Sequence, residues 1–294
     1  MINASIQKYL NQCLSDKLKV PISQMQFYPV GGGSINDTYK LVVTDHHTFF
    51  VKVNLATQYP ELFQKERKGL EFLGNQNILR IPPVIVDDEI DNYQFLVLGW
   101  IGEGLRTDQF WKKFGKQLAA LHHVTNPYFG FEEDNYMGAL AQQNDQYSNW
   151  SEFFVHCRLQ PQVKRAKENR MLHANHLNSF ENLYEALKDI FNNEQPALLH
   201  GDLWSGNFMC DRDSVPVLID PAVYFGHRSM DLAMTTLFGG FDKSFYEAYN
   251  YHYPFPNNYH EQWDVCNLYP LLIHLNLFGA GYLGQIERTL RRFQ

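Results

Sequence analysis

Cysteine is scarce and scattered in this chain: the four, Cys13, Cys157, Cys210 and Cys266, include no Cys-x-x-Cys pair. That spacing excludes a disulfide-stapled scaffold and a cysteine zinc site, and it suits a reducing cytosol. Basic charge is also short, with 25 Lys and Arg against 32 Asp and Glu and a formal net charge of -7. Proteins that grip a nucleic-acid backbone carry a basic face, so no nucleic-acid partner is expected. No apolar run approaches the roughly 20 residues that span a bilayer, and residues 1–8 lack the basic-then-apolar order of a secretory leader. The expectation is a soluble, cytoplasmic protein with no membrane partner. Repeats, low-complexity tracts and long charge runs are missing too, so periodicity must divide the chain.

Core-forming material is plentiful, at 45% hydrophobic and 15% aromatic over 294 residues, which is ample for two lobes. A helix is expected over 6–18, followed by short strands at 26–30, 37–43 and 48–53, with the glycines 31–33 and the polar turn 45–47 between them. A helix over 60–73 stops at Gly74-Asn75, and strands follow at 84–87 and 93–98. Beyond residues 99–102 the pattern turns mostly helical, at 108–123, 152–159, 163–173, 177–191, 229–238 and 262–277. Two domains are therefore expected, 1–101 rich in strand and 102–294 mostly helical.

The most specific signal is His200-Gly201-Asp202-Leu203-Trp204-Ser205-Gly206-Asn207, followed across one hairpin by Asp220. Phosphoryl transfer from ATP needs a carboxylate to accept the acceptor hydroxyl's proton and hard oxygens to hold magnesium. Asp202, then Asn207 five positions on, then Asp220 after the next apolar strand, fit those posts in order. Asp211 and Asp213 read as the solvated turn of the intervening hairpin. His200 has no partner at zinc or triad spacing and reads as a brace for the loop, while His122 and His123 read as a helix end.

Upstream, Gly31, Gly32, Gly33 and Ser34 read as a turn that would let backbone N–H groups approach a polyphosphate, although three glycines alone more often make a plain hairpin loop. Lys52 stands in an otherwise apolar strand. On the next helix Glu66 falls on the stripe of Phe63, Leu70 and Leu73, and an inward carboxylate requires a partner. Lys65, Arg67 and Lys68 are too close in sequence to face it, so Lys52 is the expected partner.

Taken together with the segments at 129–138, 150–154 and 219–234, these motifs make the chain resemble the fructosamine kinase (ketosamine-3-kinase) family, relatives of aminoglycoside and choline kinases. Trp204 inside the catalytic run is the most discriminating mark. The resemblance covers nearly the whole chain. It implies an α+β, protein-kinase-like fold with a small antiparallel-sheet lobe and a larger helical lobe, and transfer of ATP's γ-phosphoryl group to the 3-hydroxyl of a ketosamine or glycated lysine, which aids deglycation. It further implies ATP and Mg2+ as cofactors, with Lys52 and Glu66 anchoring ATP, and Gly99, Trp100 and Ile101 as the adenine hinge. Asp202 would be the proton acceptor, Asn207 and Asp220 the magnesium ligands, Trp204 a stacking platform for the sugar, and Asp231 a brace for the catalytic loop. The chain departs from the family in lacking a cysteine in the glycine-rich loop, so an oxidative link there is not expected, and in placing Gly99 where many relatives have an acid.

Two alternatives stand beside this reading. An aminoglycoside or choline-type phosphotransferase would use the same machinery with a different acceptor pocket. A non-catalytic pseudokinase is opposed by the complete set Lys52, Glu66, Asp202, Asn207 and Asp220. Only residues 221–230 separate Asp220 from Asp231, too few for a protein kinase's activation segment.

Overall fold

Asn3 opens the first helix by accepting a 2.9 Å hydrogen bond from the Ser5 N–H through its side chain, which satisfies one of the donors a helix start leaves over. The structure is a computed structural model describing residues 2–31, 35–44 and 47–294. By internal packing the chain forms two compact units, Met1–Leu105 with Met209–Asp220, and Arg106–Phe208 with Pro221–Gln294.

The first unit contains α1 (Ala4–Leu18), β1 (Gln26–Pro29), β2 (Asp37–Thr44), β3 (His47–Leu55), α2 (Leu62–Asn75), β4 (Val84–Ile90) and β5 (Tyr93–Gly99). The strands make one antiparallel sheet in the order β1-β2-β3-β5-β4. Successive side chains of a strand point to opposite faces. Phe49, Val51 and Val53 of β3 join Ile6, Leu10 and Leu14 of α1 in one core, so Lys52 and Asn54 belong to the other face. There Gln94 of β5 accepts from the Phe63 N–H and ties the start of α2 to the sheet.

In chain order the following elements are α3 (Asp108–His122), β6 (Asn135–Met137), β7 (Leu140–Gln142), α4 (Trp150–Phe153), a π-helical turn (Phe154–Leu159), α5 (Gln160–Glu168), α6 (Ala174–Ile190) and β8 (Ala197–Leu199). Then come β9 (Phe208–Cys210), β10 (Pro216–Leu218), β11 (Tyr224–Gly226), α7 (Ser229–Leu237), α8 (Lys243–His252), α9 (Tyr259–Cys266), α10 (Leu268–Phe278) and α11 (Leu283–Leu290). β9 pairs with β10, and the segment Met209–Asp220 belongs to the first unit. The core of the second unit is strongly aromatic, with Phe110, Phe114, Phe208, Phe241 and Phe245 at ring distances of 4.9 to 6.2 Å.

The architecture is the expected α+β arrangement, an antiparallel sheet with one key helix and then a larger helical part. Several element boundaries differ from the sequence reading. The single helix expected at 262–277 is two, α9 and α10, separated at Asn267. The helix expected at 163–173 ends at Glu168, because the chain turns at Arg170 in a left-handed conformation (φ 59°). Helices α8 and α11 were not anticipated. The apolar face of α8 is carried chiefly by Phe245 and Tyr249 amid polar neighbours, and α11 begins beside Gly281 and Gly284, composition that resembles a loop.

Candidate active site

In the first unit the Lys52 ammonium is 3% exposed and lies 2.8 Å from Glu66 Oε1 and 2.6 Å from Asp220 Oδ1. Two side chains, 14 and 168 positions from Lys52, are thus gathered on one cation. Burial works to neutralise Lys52, but Asp220 and Glu66 more than offset it and hold its pKa above the ordinary lysine value. Burial likewise pushes the Glu66 carboxyl up to about 7; Lys52 opposes that shift and the like charge of Asp220 adds to it. Asp220 is the least enclosed of the three, 38% exposed, and its backbone is in the left-handed region at φ 54°.

The second unit holds Asp202 and Asn207 together. The Asn207 amide nitrogen donates to Asp202 Oδ2 at 2.7 Å and to the Asp202 carbonyl at 2.9 Å. Because both contacts use nitrogen, the amide oxygen of this buried residue is the atom left for a cation. The Asp202 N–H donates to His200 Nδ1 at 3.3 Å. Gly201, at φ 85°, permits the turn before Asp202, and a Cβ there would lie 2.0 Å from the Ala222 carbonyl oxygen. Trp204 covers Gly206 so closely that a Cβ on Gly206 would meet its ring at 2.3 Å.

Asp231, 1% exposed, accepts from the backbone N–H of His200 at 2.8 Å and of Gly201 at 2.9 Å, one on each carboxylate oxygen. His122 donates to Asp231 through Nε2 at 3.3 Å while its Nδ1 accepts from the Tyr249 hydroxyl at 2.8 Å. Burial lowers the His122 pKa despite Asp231, which fits that neutral tautomer. His122 is the last residue of α3, as expected, but it is a fully buried partner of the loop's anchor. Sequence reasoning missed this because nothing local distinguishes it from its exposed neighbour His123.

Asp211 requires a correction. It is 4% exposed, accepts from the Asp213 and Val215 N–H groups and pairs with Arg80, so it organises the hairpin from inside and is not a solvated turn residue. Arg80 supplies the charge partner from 131 positions away, invisible to a local reading.

At the other sequence-selected positions, the Gly99 N–H donates to the Pro83 carbonyl and the Trp100 N–H to the Thr48 carbonyl. Ile101 is buried just beyond. Gly31 is the described end of the glycine-rich turn; Gly32, Gly33 and Ser34 lie outside the described residues.

The family model for fructosamine kinase matches residues 6–294. The chain belongs to the fructosamine kinase family. Its relatives include a protein of Lactiplantibacillus plantarum named a probable ketoamine kinase, 36% identical over 278 residues, spanning 94% of this chain and 97% of that one. The chloroplastic protein-ribulosamine 3-kinase of Arabidopsis thaliana is 37% identical over 261 residues, 86% of this chain and 78% of the relative. A crystal structure assigned as a fructosamine-3-kinase of Thermobifida fusca superposes with a TM-score of 0.82 at 33% identity, covering 90% of this chain and 92% of that one. More distant antibiotic and choline kinase structures share the fold alone, which is protein-kinase-like. As a fructosamine kinase family member the chain is a phosphotransferase of the ketoamine kinase type, and kinase chemistry implies ATP as phosphoryl donor. Among the described residues no helix is long and apolar enough to cross a membrane.

Proposed function

We propose that this kinase transfers the γ-phosphoryl group of ATP to the sugar 3-hydroxyl of a ketosamine, with a glycated lysine side chain as an acceptor. The observation that carries the reading is Lys52, a buried cation held between Glu66 and Asp220. An ammonium kept charged by two carboxylates, only one of them deeply buried, can exchange its exposed partner for phosphate oxygens. Glu66 then holds Lys52 in place against the α- and β-phosphates. The N–H groups of Gly99 and Trp100 are already spent on backbone carbonyls, so within the hinge the adenine-facing N–H falls to Ile101. Gly31 begins the turn over the phosphates, together with Gly32, Gly33 and Ser34.

Asp202 orients the acceptor hydroxyl and takes its proton, with Asn207 fixing one carboxylate oxygen. Asp231 and His200 keep the backbone of that loop still. Asn207 in the second unit, with an amide oxygen to spare, and Asp220 in the first, with a half-exposed carboxylate, are each a hard donor of the kind magnesium takes. The ion supplies neutralisation of the charge on the transferring phosphoryl oxygens. Trp204 offers an indole face to the sugar. Phosphorylation destabilises the ketoamine linkage and so contributes to deglycation of the amine. The cysteines Cys13, Cys157, Cys210 and Cys266 stand as thiols and not disulfides, which suits a cytoplasmic setting.

The test is ATP consumption with fructose-lysine, ribulose-lysine, choline and kanamycin offered separately. Turnover confined to the two ketoamines is the expected result. Preference for choline or kanamycin removes the ketoamine assignment and leaves only the phosphotransferase.

A further inference from the structure

Trp204 is the first member of an aromatic row that runs away from the catalytic loop within the second unit. Its ring meets Phe238 edge-on at 5.8 Å, Phe238 lies 5.0 Å from His274, and His274 lies 5.5 Å from Phe278 and 5.0 Å from Tyr282. Two members are open to solvent, Phe238 at 39% and Phe278 at 54% exposed. Large apolar side chains exposed in a contiguous row, continuous with a catalytic loop, mark a ligand surface more than a packing accident.

Two features give that ligand its chemistry. Phe238 caps the C-terminus of α7 and Phe278 ends α10, and a helix C-terminus carries about half a negative charge, which favours a cation. His274 donates through Nδ1 to the Pro270 carbonyl at 2.7 Å, and burial lowers its pKa, so the ring between the two phenylalanines is neutral and repels no cation. Aromatic faces themselves attract ammonium groups. Beyond Phe278 the chain is Gly279-Ala280-Gly281, where an added Cβ at either glycine meets no atom within 4 Å. The far end of the row is therefore unobstructed by its own segment.

We propose that this row binds the amine-bearing half of the ketoamine, an aliphatic or aromatic chain attached to a protonated secondary amine, while the sugar occupies the Trp204 end. The assignment rests on the ketoamine reading above and adds to it a preference set by the amine and not by the sugar. A ketoamine on an extended apolar arm, such as a lysine side chain, matches the row better than one on a short or anionic amine.

The experiment compares steady-state kinetics on the fructose adducts of methylamine and hexylamine, which share the sugar and the ammonium and differ only in apolar reach. The wild-type protein should show a KM about tenfold lower for the hexylamine adduct. Phe278→Ala, and independently Phe238→Ala, should bring the ratio of the two KM values to within about twofold, with kcat changing little because uniform binding is what is lost. Tyr251→Ala, at a residue 83% exposed on α8, should keep the wild-type ratio. Equal KM values for the two adducts in the wild-type protein, or an undiminished ratio in Phe278→Ala, overturns the assignment while leaving the ketoamine reading intact. A fall in kcat for both adducts alike in Phe278→Ala also overturns it, by making the residue a support of the loop. Failure to phosphorylate either adduct while choline or kanamycin is turned over sinks both readings.

Discussion

Each unit of this kinase has a buried polar cluster built on an aspartate, and the two clusters are constructed on opposite principles. Around Lys52 the first unit sets charge against charge, one ammonium between Glu66 and a half-exposed Asp220. Around Asp231 the second unit sets a carboxylate against two backbone N–H groups and a histidine that burial keeps neutral. An ion pair with one exposed member can change partner at small cost, because water receives whatever is released. A carboxylate that is 1% exposed, with both oxygens spent on rigid backbone, cannot. Under the proposed mechanism this is a division of labour: adaptable electrostatics where phosphates would arrive and depart, fixed geometry where a proton would be taken from a hydroxyl.

The sharpest way to break that comparison is to remove the group that the rigid cluster serves. Asp202→Ala should lower kcat by about two to four orders of magnitude, the usual worth of a positioned general base, with the KM for ATP little changed. Steady-state kinetics at saturating acceptor would show it, and surviving turnover would take the proton-accepting role away from Asp202.

Next in size is Lys52→Met, which leaves Glu66 buried without its cation and should cost about 3 kcal/mol of unfolding free energy at pH 8. The loss should be smaller at pH 5, where Glu66 is protonated. Denaturant melts at the two pH values check this, and equal losses would mean that Glu66 is not charged in the folded protein.

The smallest effect distinguishes the two units by sign. Glu66 is raised from an ordinary 4.5 to about 7, so the folded state holds that proton more tightly than the unfolded chain. Its contribution to stability is present below about 4.5 and is lost as pH rises toward 7. His227, buried in the second unit 3.6 Å from Glu194, is lowered by burial from 6.5 to about 4. Its contribution is present above 6.5 and is lost as pH falls toward 4. Glu194, held low by Arg228 against the opposing effect of burial, loses its contribution in the same acid direction. In melts between pH 4 and 7, Glu66→Gln should therefore make stability rise more steeply with pH, and His227→Asn should make it rise less steeply. Parallel curves for both variants would show that neither group titrates with folding.

How much of this was legible before folding depended on whether a partner was near in sequence. The loop from His200 to Asn207 was readable because its chemistry lies within eight residues, and Glu66 because helical spacing placed a carboxylate on an apolar stripe. The roles of His122 and Asp211 were not. Their partners Asp231 and Arg80 are 109 and 131 positions away, and only burial distinguishes them from surface residues of the same type. Helix α8 escaped for a related reason, since its pattern is weak until α3 and Phe241 give Phe245 something to pack against.

The order of side chains along the chain therefore determined which chemistry is available: a cation in a strand, an acid on the facing helix, and an acid, an amide and a second acid in the catalytic stretch. Strand alternation and helix pitch are local and can be read from residue types alone. Tertiary structure decided the partners: that Asp220 shares Lys52 with Glu66, that His122 stands behind Asp231, and that Phe238 and Phe278 extend the face begun by Trp204. Burial and charge pairing act through space between residues far apart in sequence, so they exist only once the chain has folded.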